Sequence, residues 1–381
     1  MSHRHPLHCI VPPHILEAIA ERGSPRQQAR AKASQAASEQ MRTERQRITA
    51  RPVLAAQPGA KERIVYTANF GTSLPGQKVR GEGEPPSGDA AVDEAYDGSG
   101  DTFDLYQQTY GRDSIDGNNM RLDSTVHYHQ GYDNAFWNGE QMVYGDGDED
   151  LPADERLFNR FTKSLDVIGH ELTHGVTQFT ANLVYRNQPG ALNEHFSDVF
   201  GSLVRHWKLS QTADQADWLI GADLITDNVN GDALRSMKAP GTAYDDPVLG
   251  KDPQPAHMQD YVNTQQDNGG VHINSGIPNH AFYVVATEIG GNAWEKAGLI
   301  WYQTLIGGRL SSQAEFQAAA DLTYQIAGEL YSANSLEQQA VRTGWRAVGI
   351  TVGGATPPPE PPPPQPGQGC FAAVLTLGLV R

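Results

Sequence analysis

Cysteine is scarce: the 381-residue chain has two, Cys9 and Cys370, near opposite ends. They cannot make a disulfide framework, and no CxxC pair exists for a thiolate zinc or redox site. The core is therefore expected to hold without cross-links. Long apolar runs are also lacking. No segment reaches the roughly 18 apolar residues of a membrane-spanning helix, so no membrane partner is expected. Basic residues are the minority charge, 29 Lys and Arg against 45 Asp and Glu, and the formal net charge is −16. An acidic chain repels nucleic-acid phosphates, so nucleic acid is not an expected partner either. The N-terminal MSHRHPLHCIVPPHIL sets histidines and prolines where a signal peptide needs an unbroken apolar stretch. Standard secretion is not expected from it.

Hydrophobic residues make up 38% of the chain, enough for a sizeable core. At roughly 150 residues per domain the length predicts two or three units. Residues 1–51 hold nine Lys and Arg against four Glu, a local balance of +5 that leaves −21 for the rest. A short basic leader can dock on an acidic body. Helices are predicted from about Pro13 to Glu21, ending at Gly23, and from about Pro25 to Ile48, rich in Ala, Gln and Arg. Residues 62–150 read as strands and turns, with runs such as Arg63-Ile64-Val65-Tyr66 and Thr125-Val126-His127-Tyr128 between Gly, Asp, Asn and Pro. From Phe161 the periodicity lengthens and predicts helices over 161–179, 192–208, 276–288, 292–306, 312–330 and 335–347. Residues 356–368, TPPPEPPPPQPGQ, form a polyproline spacer or linker, followed by a short apolar tail.

On the 161–179 helix His170 and His174 are four residues apart, so their side chains lie one above the other. Two imidazoles at that spacing can grip one Zn2+. Glu171, about 100° round the helix, sits where a base acting on the metal's water belongs. The pentapeptide fixes three residues only, and a surface helix with two solvated histidines satisfies it equally. A catalytic zinc needs a third protein ligand and an open fourth position. Glu194, in Asn193-Glu194-His195-Phe196-Ser197-Asp198, lies twenty residues beyond His174. That leaves room for a chain reversal through Asn187, Pro189 and Gly190 and a return on a second helix. Asp198, four residues on, shares the face of Glu194 and can fix the tautomer of a ligating histidine. Phe196, Val199 and Phe200 argue for burial of this helix rather than an exposed acidic face.

HELTHGVT, then YRNQPGALNEHFSDVFG, then DNGGVHINSG resembles the ordered motif series of thermolysin-like metallopeptidases. NAFWNG, MVYGDGD and GDALRSM extend the resemblance over about residues 60–353. The leader Cys9-Ile10-Val11-Pro12-Pro13-His14-Ile15-Leu16 resembles the short prosegment of the protealysin-like branch. The resemblance implies an α+β fold, a two-lobed zincin with a β-rich N-terminal lobe and a mainly α-helical C-terminal lobe joined by the central zinc-binding helix. It implies a prosegment over 1–52, an N-terminal catalytic lobe over 60–179, a helical catalytic lobe over 180–353, and linker and tail over 354–381. The implied activity is a zinc-dependent endopeptidase that cuts on the amino side of bulky hydrophobic residues. It would be made as a latent precursor, inhibited in cis by its own prosegment, and act as a monomer on protein or peptide substrates.

Residue by residue, His170, His174 and Glu194 resemble the zinc ligands and Glu171 the general base. Asp198 is similar to the partner of the first histidine, and Asn193 to the residue beside the third ligand. His272, oriented by Asp267, and Tyr185 resemble the donors to the developing oxyanion. Arg235 resembles the arginine that holds a substrate carbonyl, and Asn134 with Ala135 the edge that pairs with substrate backbone. Phe158, Phe161, Val167 and Leu234 fall where the family forms an apolar pocket, and ordinary core explains these four as well. The roles are chemically apt. Zinc lowers the pKa of bound water to near 7, a carboxylate takes its proton, and losing one oxyanion donor typically costs about 3 kcal/mol.

The sequence departs from the family at calcium. Asp166 and Asp217 match two carboxylates of the paired calcium site, but Arg205, Leu219 and Ala222 stand where others would be acidic. Calcium wants six or more oxygens. Zn2+ is therefore the expected cofactor, and the paired Ca2+ site is expected to be absent or weak. Cys9 admits two readings: a thiolate on the open zinc position, or an unligated residue with Pro12-Pro13 blocking the cleft by shape. Secretion by a non-standard route is expected, with cytoplasmic residence the alternative. Two other classes compete with the enzyme. Intact ligands, base and donors disfavour a pseudoprotease that binds without turnover. An open site with an aligned glutamate disfavours a structural zinc protein.

Overall fold

The leader starts with a two-residue strand, β1 (His8–Cys9), followed by helices α1 (Pro13–Arg22) and α2 (Pro25–Arg45). Pro13 opens α1 where its missing N–H costs nothing. Gly23 closes it, donating its N–H to Ile19 O. Ile15, Leu16, Ala18 and Ile19 form the buried stripe. The structure, a computed structural model, describes residues 8–45 and 59–353. The junction between leader and body, the proline-rich linker and the tail lie outside the described residues.

The body begins with β2 (Arg63–Thr67), β3 (Gln77–Gly81), α3 (Ala90–Tyr110), β4 (Leu122–Val126), β5 (Ala135–Trp137) and β6 (Met142–Tyr144). The strands form a mixed six-stranded sheet in the order β1-β5-β6-β4-β2-β3, so the leader supplies one edge. The strand-and-turn reading of residues 62–150 missed α3. This helix carries Gly98-Ser99-Gly100 and Asp93, Asp97, Asp101 and Asp104, residue types that read as turn punctuation. Packing accounts for the glycines. A Cβ on Gly98 would come within 2.5 Å of Ile168 Cδ1, and one on Gly100 within 2.2 Å of Arg63 Nη1. Asp89 caps the start by accepting the Ala91 N–H at 2.9 Å, and Gly111, in the left-handed conformation, ends it.

A 3-10 turn over Phe161–Lys163 precedes α4 (Leu165–Gln178), so the helix predicted from 161 begins later. The next helix, α5 (Asn187–Leu209), begins ahead of the predicted 192. The two pack closely because glycines meet there. A Cβ on Gly201 would lie 2.3 Å from Asp166 O, and one on Gly169 would lie 3.0 Å from Gly201 Cα. Residues flanking this contact are thereby brought face to face. Hairpins β7 (Leu219–Ile220) with β8 (Arg235–Ser236) and β9 (Asp245–Asp246) with β10 (Gly250–Lys251) follow. Helices α6 (Asp267–Asn274), α7 (Gly276–Ile289), α8 (Lys296–Ile306), α9 (Phe316–Tyr331) and α10 (Leu336–Ala347) complete the helical lobe. One apolar cluster runs through both lobes and takes in Ile10, Val11, Ile15, Leu16 and Ile19 of the leader. Among the described residues no helix is long and apolar enough to cross a membrane.

Candidate active site

His170, Glu171 and His174 project from α4, and all three are buried. His170 donates from Nδ1 to Asp198 Oδ1 at 2.8 Å. His174 donates from Nδ1 to Asn193 Oδ1 at 2.8 Å, and Asn193 is held in that orientation because its Nδ2 donates to Leu183 O. With both Nδ1 atoms protonated, the two Nε2 lone pairs face each other at 3.1 Å. Carboxylate oxygens of Glu194, on α5, stand 3.5 and 3.4 Å from those nitrogens. Lone pairs and a carboxylate converging in a dry interior repel unless a cation lies among them. Tetrahedral zinc with bonds of about 2.0–2.1 Å spaces its ligands by about 3.3 Å. The donor set therefore fits Zn2+, and its ligand atoms lie within 4.8 Å of one another. Burial, then the neighbouring His170, hold the His174 imidazole well below its ordinary pKa, so it is neutral, as a ligand must be.

The surrounding groups are equally fixed. Glu171 Oε2 accepts the Trp137 N–H of β5 at 2.9 Å. Burial alone would push the Asp198 carboxyl up. Arg235, donating to it at 2.8 and 3.0 Å, and His170 instead hold it well below the usual carboxylate range. At the start of α6, Asp267, Asn268, Gly269 and Gly270 all have positive φ. That turn folds Asp267 back on its own helix, where it accepts the His272 backbone N–H at 2.8 Å and Nδ1–H at 2.6 Å. His272 Nε2 then sits 3.5 Å from Glu194 Oε2 and 3.2 Å from the Tyr185 hydroxyl. Burial opposes charge on His272, but Asp267 and Glu194 outweigh it and raise its pKa to about 9. Tyr185 donates to Glu194. Burial, then the Glu194 charge, keep its phenol protonated.

Comparison with known proteins agrees with this geometry. Residues 60–178 match the model for the thermolysin metallopeptidase catalytic domain, and residues 181–350 the model for its alpha-helical domain. An extracellular metalloprotease of Pectobacterium carotovorum subsp. carotovorum is 52% identical over 294 residues, 77% of this chain and 82% of that protein. The chain belongs to the thermolysin metallopeptidase family. A thermolysin of Alicyclobacillus acidocaldarius is 42% identical over 269 residues, 69% of this chain and 46% of that protein. The precursor of protealysin from Serratia proteamaculans superposes with a TM-score of 0.81 at 48% identity, covering 90% of this chain and all of that one. Membership implies zinc, and His170, His174 and Glu194 form the candidate metal-binding site.

The cleft of this metallopeptidase holds its own leader. β1 pairs antiparallel with β5, His8 opposite Trp137 and Cys9 opposite Phe136. Ile10 donates its N–H to Ala135 O at 3.2 Å, and Val11 donates to Asn134 Oδ1 at 3.0 Å. Arg235 Nη1 donates to Ile10 O at 3.1 Å, and His272 Nε2 to Cys9 O at 3.0 Å. Strand alternation then decides the two side chains. The His8 ring stacks on His174 at 4.3 Å. The Cys9 side chain packs with Tyr128, Phe136 and Val143. The metal-capable cluster is His170, His174 and Glu194 without Cys9, so the thiolate-on-zinc reading is set aside. It is His8 that packs on a metal-site residue, His174.

Phe158, Phe161, Val167 and Leu234 are all fully buried and belong to the same apolar cluster as Ile10 of the leader. Arg205 bridges Asp217 at 2.8 Å and Asp223 at 3.7 Å. Asp166 accepts the Gly221 N–H and the Ser164 hydroxyl. One set of residues escaped the sequence reading. Trp301 Nε1–H donates to His195 Nε2 at 2.7 Å, His195 Nδ1–H to Asn279 Oδ1 at 2.8 Å, and Asn279 Nδ2–H to Asp198 Oδ2 at 2.8 Å. This fully buried chain ends on the carboxylate that orients His170. The only hint in the sequence was a histidine in a helix otherwise reading as core.

Proposed function

We propose that this metallopeptidase is a latent zinc endopeptidase that cuts on the amino side of bulky apolar residues and is inhibited by its own leader. The observation that carries the reading is the set of hydrogen bonds between the Cys9–Val11 backbone and Ala135, Asn134, Arg235 and His272. Those four residues are where a bound peptide strand would be gripped, and the leader has taken their valences. Zinc held by His170, His174 and Glu194 would supply an acidified water and polarise the scissile carbonyl. Glu171 takes the water's proton and passes it to the leaving nitrogen. His272, kept cationic by Asp267, and Tyr185 donate to the oxygen on which charge develops. Asp198 and Asn193 hold the two ligand imidazoles in one tautomer. The apolar preference is supported by Ile10, which follows the carbonyl held by His272 and is fully buried. Paired calcium is left out of the reading, because the Arg205 guanidinium pairs with Asp217, one of the two matching carboxylates, and Asp166, the other, already accepts from Gly221 and Ser164.

The test uses matured enzyme, casein, and peptides that differ at one position. Hydrolysis is expected before Leu, Ile or Phe and stops on zinc removal. Glu171→Gln should lower kcat by about 10²–10⁴-fold while zinc content stays at one per chain. A calcium-selective chelator should leave rate and melting temperature unchanged. Hydrolysis that survives zinc removal sinks the peptidase mechanism, and loss of stability with calcium sinks the calcium part alone.

A further inference from the structure

The leader crosses the cleft in one register and one direction. It runs antiparallel to β5, with the Cys9 carbonyl on His272, the Ile10 N–H on Ala135, the Ile10 carbonyl on Arg235 and the Val11 N–H on Asn134. A peptide held this way presents one bond to the reacting groups. The carbonyl touching His272 belongs to Cys9, and the nitrogen beside it belongs to Ile10. The flanking side chains are in place too, His8 stacked on His174 and 4.4 Å from the Tyr185 ring, Cys9 against Phe136, and Ile10 buried.

We infer that the Cys9–Ile10 bond is itself a substrate of this site, and that the chain trims its own leader there. The inference rests on the peptidase reading above. In the step, water adds across the amide: the C–N bond breaks, a C–O bond forms, Cys9 leaves as a carboxylate and Ile10 as an amine. Glu171 moves the water's proton to the Ile10 nitrogen, and no redox partner is needed. Trimming does not open the cleft, because the leader is anchored beyond the cut. Arg26 pairs with Glu155 at 2.9 Å and Arg30 with Asp150 at 2.6 Å. Arg30 also donates to Gly147 O at 2.7 Å, and Ser38 bonds Tyr132 at 2.8 Å. Ile10 and Val11 stay gripped by Ala135, Arg235 and Asn134 after the bond is cut. Trimming and activation are therefore separate events on one leader.

The experiment follows full-length, zinc-loaded chain by intact mass and N-terminal sequencing. A species beginning at Ile10 is expected, forming at a rate independent of protein concentration. It should not form in the Glu171→Gln chain. It should also be lost in Ile10→Asp, which puts charge in the apolar position and leaves Arg26, Arg30 and Ser38 untouched. In parallel, the same preparation after maturation is given a control peptide with Leu at the position of Ile10. If the control is cut but no Ile10 terminus forms, or a different leader bond is cut instead, the inference is overturned and the peptidase reading stands. If the control is not cut either, both fall.

Discussion

His195 is adjacent to Glu194 in sequence but turns to the opposite task. Burial keeps its pKa down at about 4, so the ring is neutral and has one donor and one acceptor. The Trp301 indole can only donate, which forces the His195 proton onto Nδ1, the Asn279 oxygen toward His195, and the Asn279 amide toward Asp198. Direction is thus imposed on the zinc-site carboxylate from a tryptophan in the helical core. Removing a direct partner of a zinc-ligating histidine typically weakens metal affinity about 10–100-fold. Trp301→Phe acts three links beyond Asp198 and should weaken zinc binding by roughly 3–10-fold, less than Asp198→Asn. Competition with a chromophoric chelator measures it. An unchanged zinc affinity in Trp301→Phe would show the chain to be packing without orientation.

At the scale of elements, one histidine ties the cap of α3 to two sheet connections. His127 follows β4; its Nδ1 contacts Asp146, after β6, at 2.8 Å, and its Nε2 contacts Asp89, the cap of α3, at 3.0 Å. The hydrogen bond to Asp146 is the largest influence, burial opposes it, and the pKa rises from 6.5 to about 9. A folded-state pKa above the unfolded one means that the stabilisation is complete below pH 6.5 and disappears as pH rises through about 9. The site is partly exposed, so solvent screening keeps the effect modest. The melting temperature of the full chain should fall across that window, and His127→Asn should flatten the fall. A slope that His127→Asn leaves intact would place the pH dependence elsewhere.

Across the whole molecule, the leader is held by two kinds of force with different salt dependence. Ile10, Val11, Ile15, Leu16 and Ile19 join the common apolar core, which salt does not weaken. The pairs Arg26–Glu155 and Arg30–Asp150 are partly solvent-exposed and are screened as ionic strength rises. Leader added in trans to matured enzyme should therefore inhibit less tightly as salt goes from about 0.05 to 0.5 M, by a few-fold rather than completely. A titration of the inhibition constant against salt checks this. No change would assign docking to the apolar stripe alone, and complete loss would assign it to charge.

Much of the site was legible in the residues themselves. Within one helix, spacing decides which side chains are neighbours, so helical periodicity alone groups His170, Glu171 and His174, and separately Glu194 and Asp198. The ordered motifs then pointed to the family, the two lobes and the roles of His272, Asp267 and Arg235. What remained hidden depended on partners distant in the chain. The glycines of α3 look like turn residues until Ile168 and Arg63 are packed against them. The His195 chain joins residues 84 and 106 positions apart. The side on which Cys9 faces is decided by its register against β5, where a slip of one residue would exchange it with His8. Local periodicity encodes faces; only tertiary packing decides what each face meets.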